Sequence, residues 1–368
     1  MGTEGNPPVF SNLAIPPGEL IQEELDAIGM TQSELAVRAG RPPQVINEII
    51  RGKKRITNET ALELERVLGI PAYLWIRLEA DYELTQARLQ DQEALRDQEG
   101  CLKGFPIRET VKRGWLPACK GKAEQVQALL SFLGVASFSA WKQQASLRYR
   151  MTPGAKVSEG ALAVWLRKGE LDARKIRTAS YDDGRFRQVL TVIRELTTES
   201  PGVFVPRVEE LAATAGVAVV FTQELKGAAA SGSARWLSRD TALIQLSLRY
   251  KTNDHLWFSF FHEAGHVLQC NTKHSYIDGI DGEVSDEQDA DKFACDVLIP
   301  PAAWADFLRT ELFTLTSVKK FAATMGVAPG IVVGRLQHEG LVGYHELNDL
   351  RVRLRWSDEP DDESRTGK

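Results

Sequence analysis

Apolar positions change their spacing from one region of the chain to the next, and the changes mark out the elements. Pro16-Pro17-Gly18-Glu19-Leu20 opens a helix that runs to Ile28 and ends at Gly29. Thr31-Gln32-Ser33-Glu34 then places a hydroxyl and a carboxylate as in a capping box, so a second helix is expected from Thr31 to Ala39. Gly40 supplies a tight corner, and Pro42 to Ile50 reads as a third helix. Leu84 to Leu102 has the look of a charged connecting helix. Lys122 to Leu133, Ser139 to Arg148 and Val157 to Lys168 carry amphipathic spacing, separated by Gly134, Pro153 and Gly154. The period shortens at Val217-Ala218-Val219-Val220-Phe221 and at Ala242 to Leu248, which are predicted strands, with Ser231 to Leu237 a third. Ser231 to Leu237 is also the candidate sheet edge for pairing with an extended peptide.

Helical spacing then returns. Leu256-Trp257-Phe258-Ser259-Phe260-Phe261 is too bulky for a surface helix and suits a domain core. Ser285-Asp286-Glu287 begins another helix, which continues to Leu298-Ile299 and stops at Pro300-Pro301. Val318 to Leu336 carries helices broken at Gly326 and Pro329-Gly330. The expected architecture is multidomain. Residues 1–13 form a flexible N-terminus, 14–84 an all-α helix-turn-helix domain, and 85–199 a helical connecting region. Residues 200–345 form an α+β domain and 346–368 a charged C-terminal tail, disordered from Ser357.

A length of 368 residues allows two or three domains with cores that need no staples. The formal net charge of −5 gives no whole-chain attraction to nucleic acid, so any such binding depends on a local cluster. Arg51-Gly52-Lys53-Lys54-Arg55, beside the third helix, is such a cluster and suits phosphate contact. No segment is long and apolar enough to span a bilayer, and Met1-Gly2-Thr3-Glu4-Gly5-Asn6 lacks the features of a signal peptide. Cys101, Cys119, Cys270 and Cys295 have no CxxC spacing and read as reduced thiols. A cytoplasmic location without a membrane partner is expected.

The strongest chemical signal is His262-Glu263-Ala264-Gly265-His266. Two histidines four residues apart share one helical face and can grip one zinc ion, while the glutamate after the first is placed as a general base. A catalytic zinc takes three protein ligands and keeps a position open for water. The helix after Ser285 offers Glu287 as third ligand, with Asp291 one turn on to orient a zinc-bound histidine and Asp289 as the alternative acid. Cys270 continues the spacing 262, 266, 270 and is a competing donor, which would close the site into a structural one. His338, near a helix end, is a candidate hydrogen-bond donor to the transition state.

These residues resemble a known family. HEAGHVL followed by EQDADKFACDVLIP is similar to the ImmA/IrrE metallopeptidases, with further similarity at Arg235-Trp236-Leu237, Ile244 to Tyr250 and Gly334 to His338. The resemblance implies a zincin-like fold, a zinc cofactor, and Glu287 as third ligand by its position relative to Pro300. The family more often has asparagine where this chain has Asp291. The flanks look like the longer branch of the family, which carries a DNA-binding domain in the same chain.

The N-terminal segment resembles the XRE-type helix-turn-helix of HigA-like antitoxins through PGELIQEELDAIGMTQSELA, INEIIRGKKRIT, TALELERVLG and the terminal Leu74-Trp75. By motif position Gln32, Gln44 and Asn47 would face DNA, with Arg51, Lys53, Lys54 and Arg55 near phosphates. Pro42-Pro43 departs from the family pattern, which has a capping serine and a polar or cationic residue there. The resemblance implies a homodimer on double-stranded operator or promoter DNA. Together the two halves imply a regulator fused to a zinc endopeptidase whose substrate is a regulatory protein such as a repressor, this chain's own DNA-binding half included. The other reading is a non-catalytic repressor or antitoxin whose peptidase-like domain senses a signal or binds a partner such as a toxin.

Overall fold

The computed structural model describes residues 13–148, 157–269, 276–277 and 284–357. The expected flexible N-terminus, apart from Leu13, and the tail beyond residue 357 lie outside the described residues, as does Cys270. The chain divides into two compact units, residues 1–99 with 121–126, and residues 100–120 with 127–368.

The first unit holds α1 (Pro17–Ile28), α2 (Gln32–Arg38), α3 (Pro43–Ile50), α4 (Asn58–Leu68) and α5 (Ala72–Asp97). Ile21, Leu25, Leu35, Ile46, Ile49, Leu64 and Trp75 form its core, one apolar stripe from each helix. Burying each such side chain contributes about 1.5–3 kcal/mol before the entropy of ordering it is subtracted. Gly18 lets α1 lie against the end of α3, because a β-carbon there would come within 2.3 Å of the Ile50 carbonyl oxygen. The expected boundary after residue 84 is corrected. No glycine or proline interrupts Ala72 to Asp97, so α5 runs on as one helix of 26 residues.

The second unit is α+β. Its helices are α6 (Ile107–Lys112), α7 (Lys122–Leu133, whose first turn is grouped with the other unit), α8 (Phe138–Arg148), α9 (Glu159–Ala173), α10 (Asp183–Glu195) and α11 (Pro201–Ala213). Four strands follow, β1 (Val217–Phe221), β2 (Gly232–Trp236), β3 (Ala242–Leu246) and β4 (Tyr276–Ile277), with α12 (Asn253–Gln269) between the last two. The remaining helices are α13 (Val284–Leu298), α14 (Pro301–Leu308), α15 (Leu315–Met325) and α16 (Pro329–His338). The sheet order is β1-β3-β2-β4, with β1 and β3 parallel and the other pairs antiparallel.

Both sheet faces are covered, which explains why β1 and β3 are almost continuously apolar. Val217, Val219, Ala242, Ile244 and Leu246 join the main core with Trp257, Phe260 and Phe261 of α12. Ala218, Val220 and Leu243 point the other way, toward Ala173 at the end of α9. On that second face Arg235 donates to Gln245 and to the Leu166 carbonyl, and Gln245 donates to the Trp165 carbonyl, at 2.7 to 2.9 Å. These buried bonds tie α9 to the middle of the sheet.

Three expectations change here. Residues 159–195, read as connecting region, supply α9 against one sheet face and Phe186, Val189, Leu190 and Ile193 to the main core. A sheet apolar on both faces needs both layers, so the α+β domain starts well before residue 200. Residues 346–357 are not a detached tail. Leu350 and Leu354 are buried, Thr252 bridges Arg353, and Val352 accepts from the Asn253 amide at 2.9 Å. Finally, β2 is not an open edge along its length, because Ser233 and Ala234 pair with Ile277 and Tyr276 of β4. Among the described residues no helix is long and apolar enough to cross a membrane.

Candidate nucleic-acid interface and candidate metal centre

In the first unit α2, the corner at Gly40 and α3 form a helix-turn-helix, and Gly40 adopts a φ of 66° that a side chain would strain. The Thr31 hydroxyl accepts from the Glu34 amide at 3.1 Å, which is half of the expected capping box. The other half is absent, since Glu34 pairs with Arg38 at 2.5 Å. At the start of α3, Pro43 occupies the first helical position, where its missing N–H costs nothing, and no side chain caps the helix.

Gln44 is exposed, while Gln32 and Asn47 are half-buried and linked. Asn47 donates to Gln32 at 3.2 Å and Gln32 donates to Gln22 at 2.6 Å, so the two amides form one hydrogen-bonded row across α1, α2 and α3. Gln44 donates to Glu48 at 2.9 Å. Arg51, Lys53, Lys54 and Arg55 are all exposed, and among the described residues none enters an ion pair. A residue with no distinctive sequence signal fixes this basic loop. Glu79 of α5 is buried and accepts from the Ile56 amide, directly after the cluster, at 3.0 Å. Burial pushes the Glu79 carboxyl above its ordinary range, partly offset by that hydrogen bond.

In the second unit α12 and α13 pack closely. A β-carbon at Gly265 would lie 3.2 Å from the Ala290 α-carbon and from the Phe293 ring. That proximity brings His262, His266 and Glu287 together, with one donor atom from each within 4.8 Å of the others. His262 Nε2 lies 3.0 Å from His266 Nε2 and 3.3 Å from Glu287 Oε2, and His266 Nε2 lies 3.6 Å from Glu287 Oε1. Donors on a tetrahedral zinc with bonds near 2.0–2.2 Å are about 3.3 Å apart, so these side chains fit that ion in both chemistry and spacing.

Asp291 Oδ1 stands 2.8 Å from His262 Nδ1. The carboxylate there accepts a hydrogen bond from Nδ1–H, which keeps the proton on Nδ1 and leaves the Nε2 lone pair directed at the other donors. Burial, with the charge of His262 beside it, pushes His266 down to about 3, so its imidazole is neutral, the form that ligates a metal. Glu263 is fully buried against β2. Gly232 makes this possible, because a β-carbon there would stand 2.5 Å from Glu263 Oε1. Asp289 is exposed and is not among the three converging donors.

His338 ends α16 and is exposed. It lines a cavity of about 230 Å³ whose walls do not include His262, His266 or Glu287. That cavity reaches Phe258, one turn before His262 on α12, and Cys295, about two turns after Glu287 on α13. Among the described residues Cys101, Cys119 and Cys295 form no disulfide.

Comparison with known proteins yields matches to short segments. A helix-turn-helix family profile matches residues 21–75. The chain is 39% identical over 83 residues to virulence-associated protein I of Dichelobacter nodosus, which covers 22% of this chain and 76% of that protein. It is 31% identical over 71 residues to an uncharacterized HTH-type transcriptional regulator of Escherichia coli K12, covering 19% of this chain and 76% of the relative. A solved structure of an addiction module antidote protein of the HigA family from Coxiella burnetii is 28% identical, covers 23% of this chain and 94% of its own, and gives a TM-score of 0.22.

Proposed function

Because the chain belongs, through residues 21–75, to the helix-turn-helix family, we propose that it is a DNA-binding transcriptional regulator whose second unit is a zinc-dependent endopeptidase. The observation that carries the DNA reading is the exposed basic run Arg51 to Arg55 at the end of α3, beside the Gln44 face. The observation that carries the peptidase reading is the convergence of His262, His266 and Glu287, with Glu263 one residue from the first ligand.

On DNA, the four cations neutralise phosphates, and the amides of Gln32, Gln44 and Asn47 read base edges or hold phosphates. The row from Asn47 through Gln32 to Gln22 limits the rotamers of two of them, which lowers the entropy lost on binding. The partner in this reading is operator or promoter DNA bound by a homodimer, as half-site geometry favours for such domains.

In the second unit His262, His266 and Glu287 would hold the zinc. When bound, the ion supplies Lewis acidity for a peptide carbonyl and lowers the pKa of a water. Asp291 keeps the His262 ring in the tautomer that ligates through Nε2, and burial keeps His266 neutral. Glu263 takes the proton of the attacking water at its carboxylate and passes it to the amine nitrogen as the carbon–nitrogen bond breaks. The room that Gly232 leaves in β2 is filled by the Glu263 carboxylate, which fits there closely. The substrate in this reading is a regulatory protein such as a repressor, or the chain's own DNA-binding half.

Zinc analysis of the wild type and of Glu263→Gln, with a search for cleavage of co-expressed partners and of the chain itself, tests the peptidase. Equal zinc in both proteins with cleavage lost in the variant is the expected result. Zinc-free wild-type protein that still binds its own promoter would overturn the enzymatic half and leave the regulator. Zinc in both proteins with cleavage in neither favours a metal-holding sensor or partner-binding module, of which a toxin is one example.

A further inference from the structure

A second group of cations lies in the second unit, on a surface made from two segments far apart in the chain. Residues 247–253 and 350–357 contain Arg249, Lys251, Arg351, Arg353 and Arg355 and no aspartate or glutamate. Backbone bonds hold the segments side by side. The Leu354 amide donates to the Lys251 carbonyl and the Asn253 amide to the Val352 carbonyl, both at 2.9 Å, and Thr252 bridges Arg353. Arg351 is balanced by buried Asp254 at 2.6 Å, while Arg249, Lys251, Arg353 and Arg355 are exposed. Among the described residues Arg249 and Arg353 enter no ion pair, Arg249 donating instead to the Ala229 carbonyl. Glu224, an acid that touches this surface, accepts from the Trp356 indole at 3.0 Å.

The surface adjoins the Glu263 side of α12. Tyr250 is 51% exposed, its ring stacks on His255 with centres 4.4 Å apart, and the Arg249 guanidinium stands 5.3 Å from its centre. Tyr250 and His255 also line a hollow whose other walls include Ser231 and Ser259. Ser231 directly precedes Gly232, which leaves room for the Glu263 carboxylate, and Ser259 precedes Glu263 by one turn of α12. The hollow measures about 10 Å³, room for one water, so it is a crease in the surface and not a small-molecule site. From His255 to Glu263 is about 12 Å along the helix, a span covered by about four residues of extended chain.

A peptide held at Glu263 and running over Ser259 toward Tyr250 therefore meets four exposed cations with an aromatic ring among them. Carboxylates suit such a surface, each exposed pair adding little and the set adding selectivity and faster encounter. We propose that this surface receives an acidic stretch of the protein substrate, with aspartates or glutamates a few residues from the scissile bond. The assignment rests on the peptidase reading. Position favours a peptide over nucleic acid here, because the crease leads to Glu263 and the basic run Arg51 to Arg55 serves phosphates in the other unit.

Binding is measured without zinc or cleavage, so its failure is distinguishable from failure of the peptidase. The chain continues beyond Ser357 with Asp358, Glu359, Asp361, Asp362 and Glu363, a run of the same chemistry tethered beside the surface. The full chain is therefore compared with a full-length variant in which these five acids are replaced by their amides. A short fluorescent peptide of alternating glutamate and serine should bind both proteins saturably, at least about tenfold tighter than its glutamine counterpart, and should weaken with salt. Arg249→Gln combined with Arg353→Gln should weaken binding about fivefold or more. Arg207→Gln, which removes an exposed cation of α11, should leave it unchanged. Equal binding of the glutamine peptide, or an unchanged affinity in the double variant, would overturn the surface. Binding seen only when the tail acids are neutralised would give the surface to the chain's own C-terminal acids in place of a substrate. Weaker promoter binding in the double variant, with its peptide affinity unaltered, would assign the surface to DNA.

Discussion

At the level of single residues, the proposed metal centre depends on side chains whose roles follow from what lies beside them. Asp291 touches His262 and no other donor of the trio, so Asp291→Ala should weaken zinc binding by about 10–100-fold while the fold is retained. Competition with a chelator measures this, and an unchanged affinity would remove Asp291 from the site. His266 gives a pH dependence whose sign is fixed by burial. Its ordinary value of 6.5 is lowered to about 3, so below 6.5 the unfolded chain takes up a proton that the metal-free native state refuses. The contribution is fully present above pH 6.5 and is lost as pH falls through that window toward 3. Urea midpoints of chelator-treated protein should therefore fall with pH there, with a shallower fall in His266→Gln. The histidines and Glu263 are legible from their spacing alone, because helical geometry places residues four apart on one face. Gly232 is not, since its purpose is the room it leaves for Glu263 from a strand thirty-one positions earlier.

At the level of elements, close approach does the positioning. Gly265 allows α12 and α13 to meet, and Gly265→Leu should force them apart at a cost of about 1–3 kcal/mol. Loss of stoichiometric zinc, together with a lower unfolding midpoint, is the expected outcome. Full zinc content in this variant would show that the helix separation does not control the donors. On α3 and its following loop, replacing Lys53 and Lys54 by alanine should weaken promoter binding across all sequences. The slope of log affinity against log salt should fall by about two, one unit for each phosphate contact removed. A salt slope that did not move would mean that neither lysine meets a phosphate. Helices α1 to α3 and strands β1 and β3 match their expected positions closely, since caps, glycines and periodicity are local signals. The pairing of β2 with β4 is a long-range contact, and no local pattern marked it.

At the level of the whole molecule, the two compact units should respond separately to zinc. Of the eight tryptophans only Trp75 lies within residues 1–99, so fluorescence of the others reports chiefly on the second unit. Zinc at about 100 times its dissociation constant should stabilise the unit that binds it by about 2.7 kcal/mol and leave the Trp75 transition where it was. A zinc-induced shift of both transitions by the same amount would contradict this. Sequence alone determined that residues 31–50 form a helix-turn-helix, that a basic run follows it, and that His262, Glu263 and His266 share a helix. Those features are short-range, written in caps, spacing and charge within a few turns of chain. Tertiary structure alone decided where the compact units end and which glycines leave room for Glu263 and for α13. It also brought Asp254 and Arg351 together across nearly a hundred residues. Such contacts form because a two-faced sheet must be covered on both sides, and the segments that cover it come from distant parts of the chain.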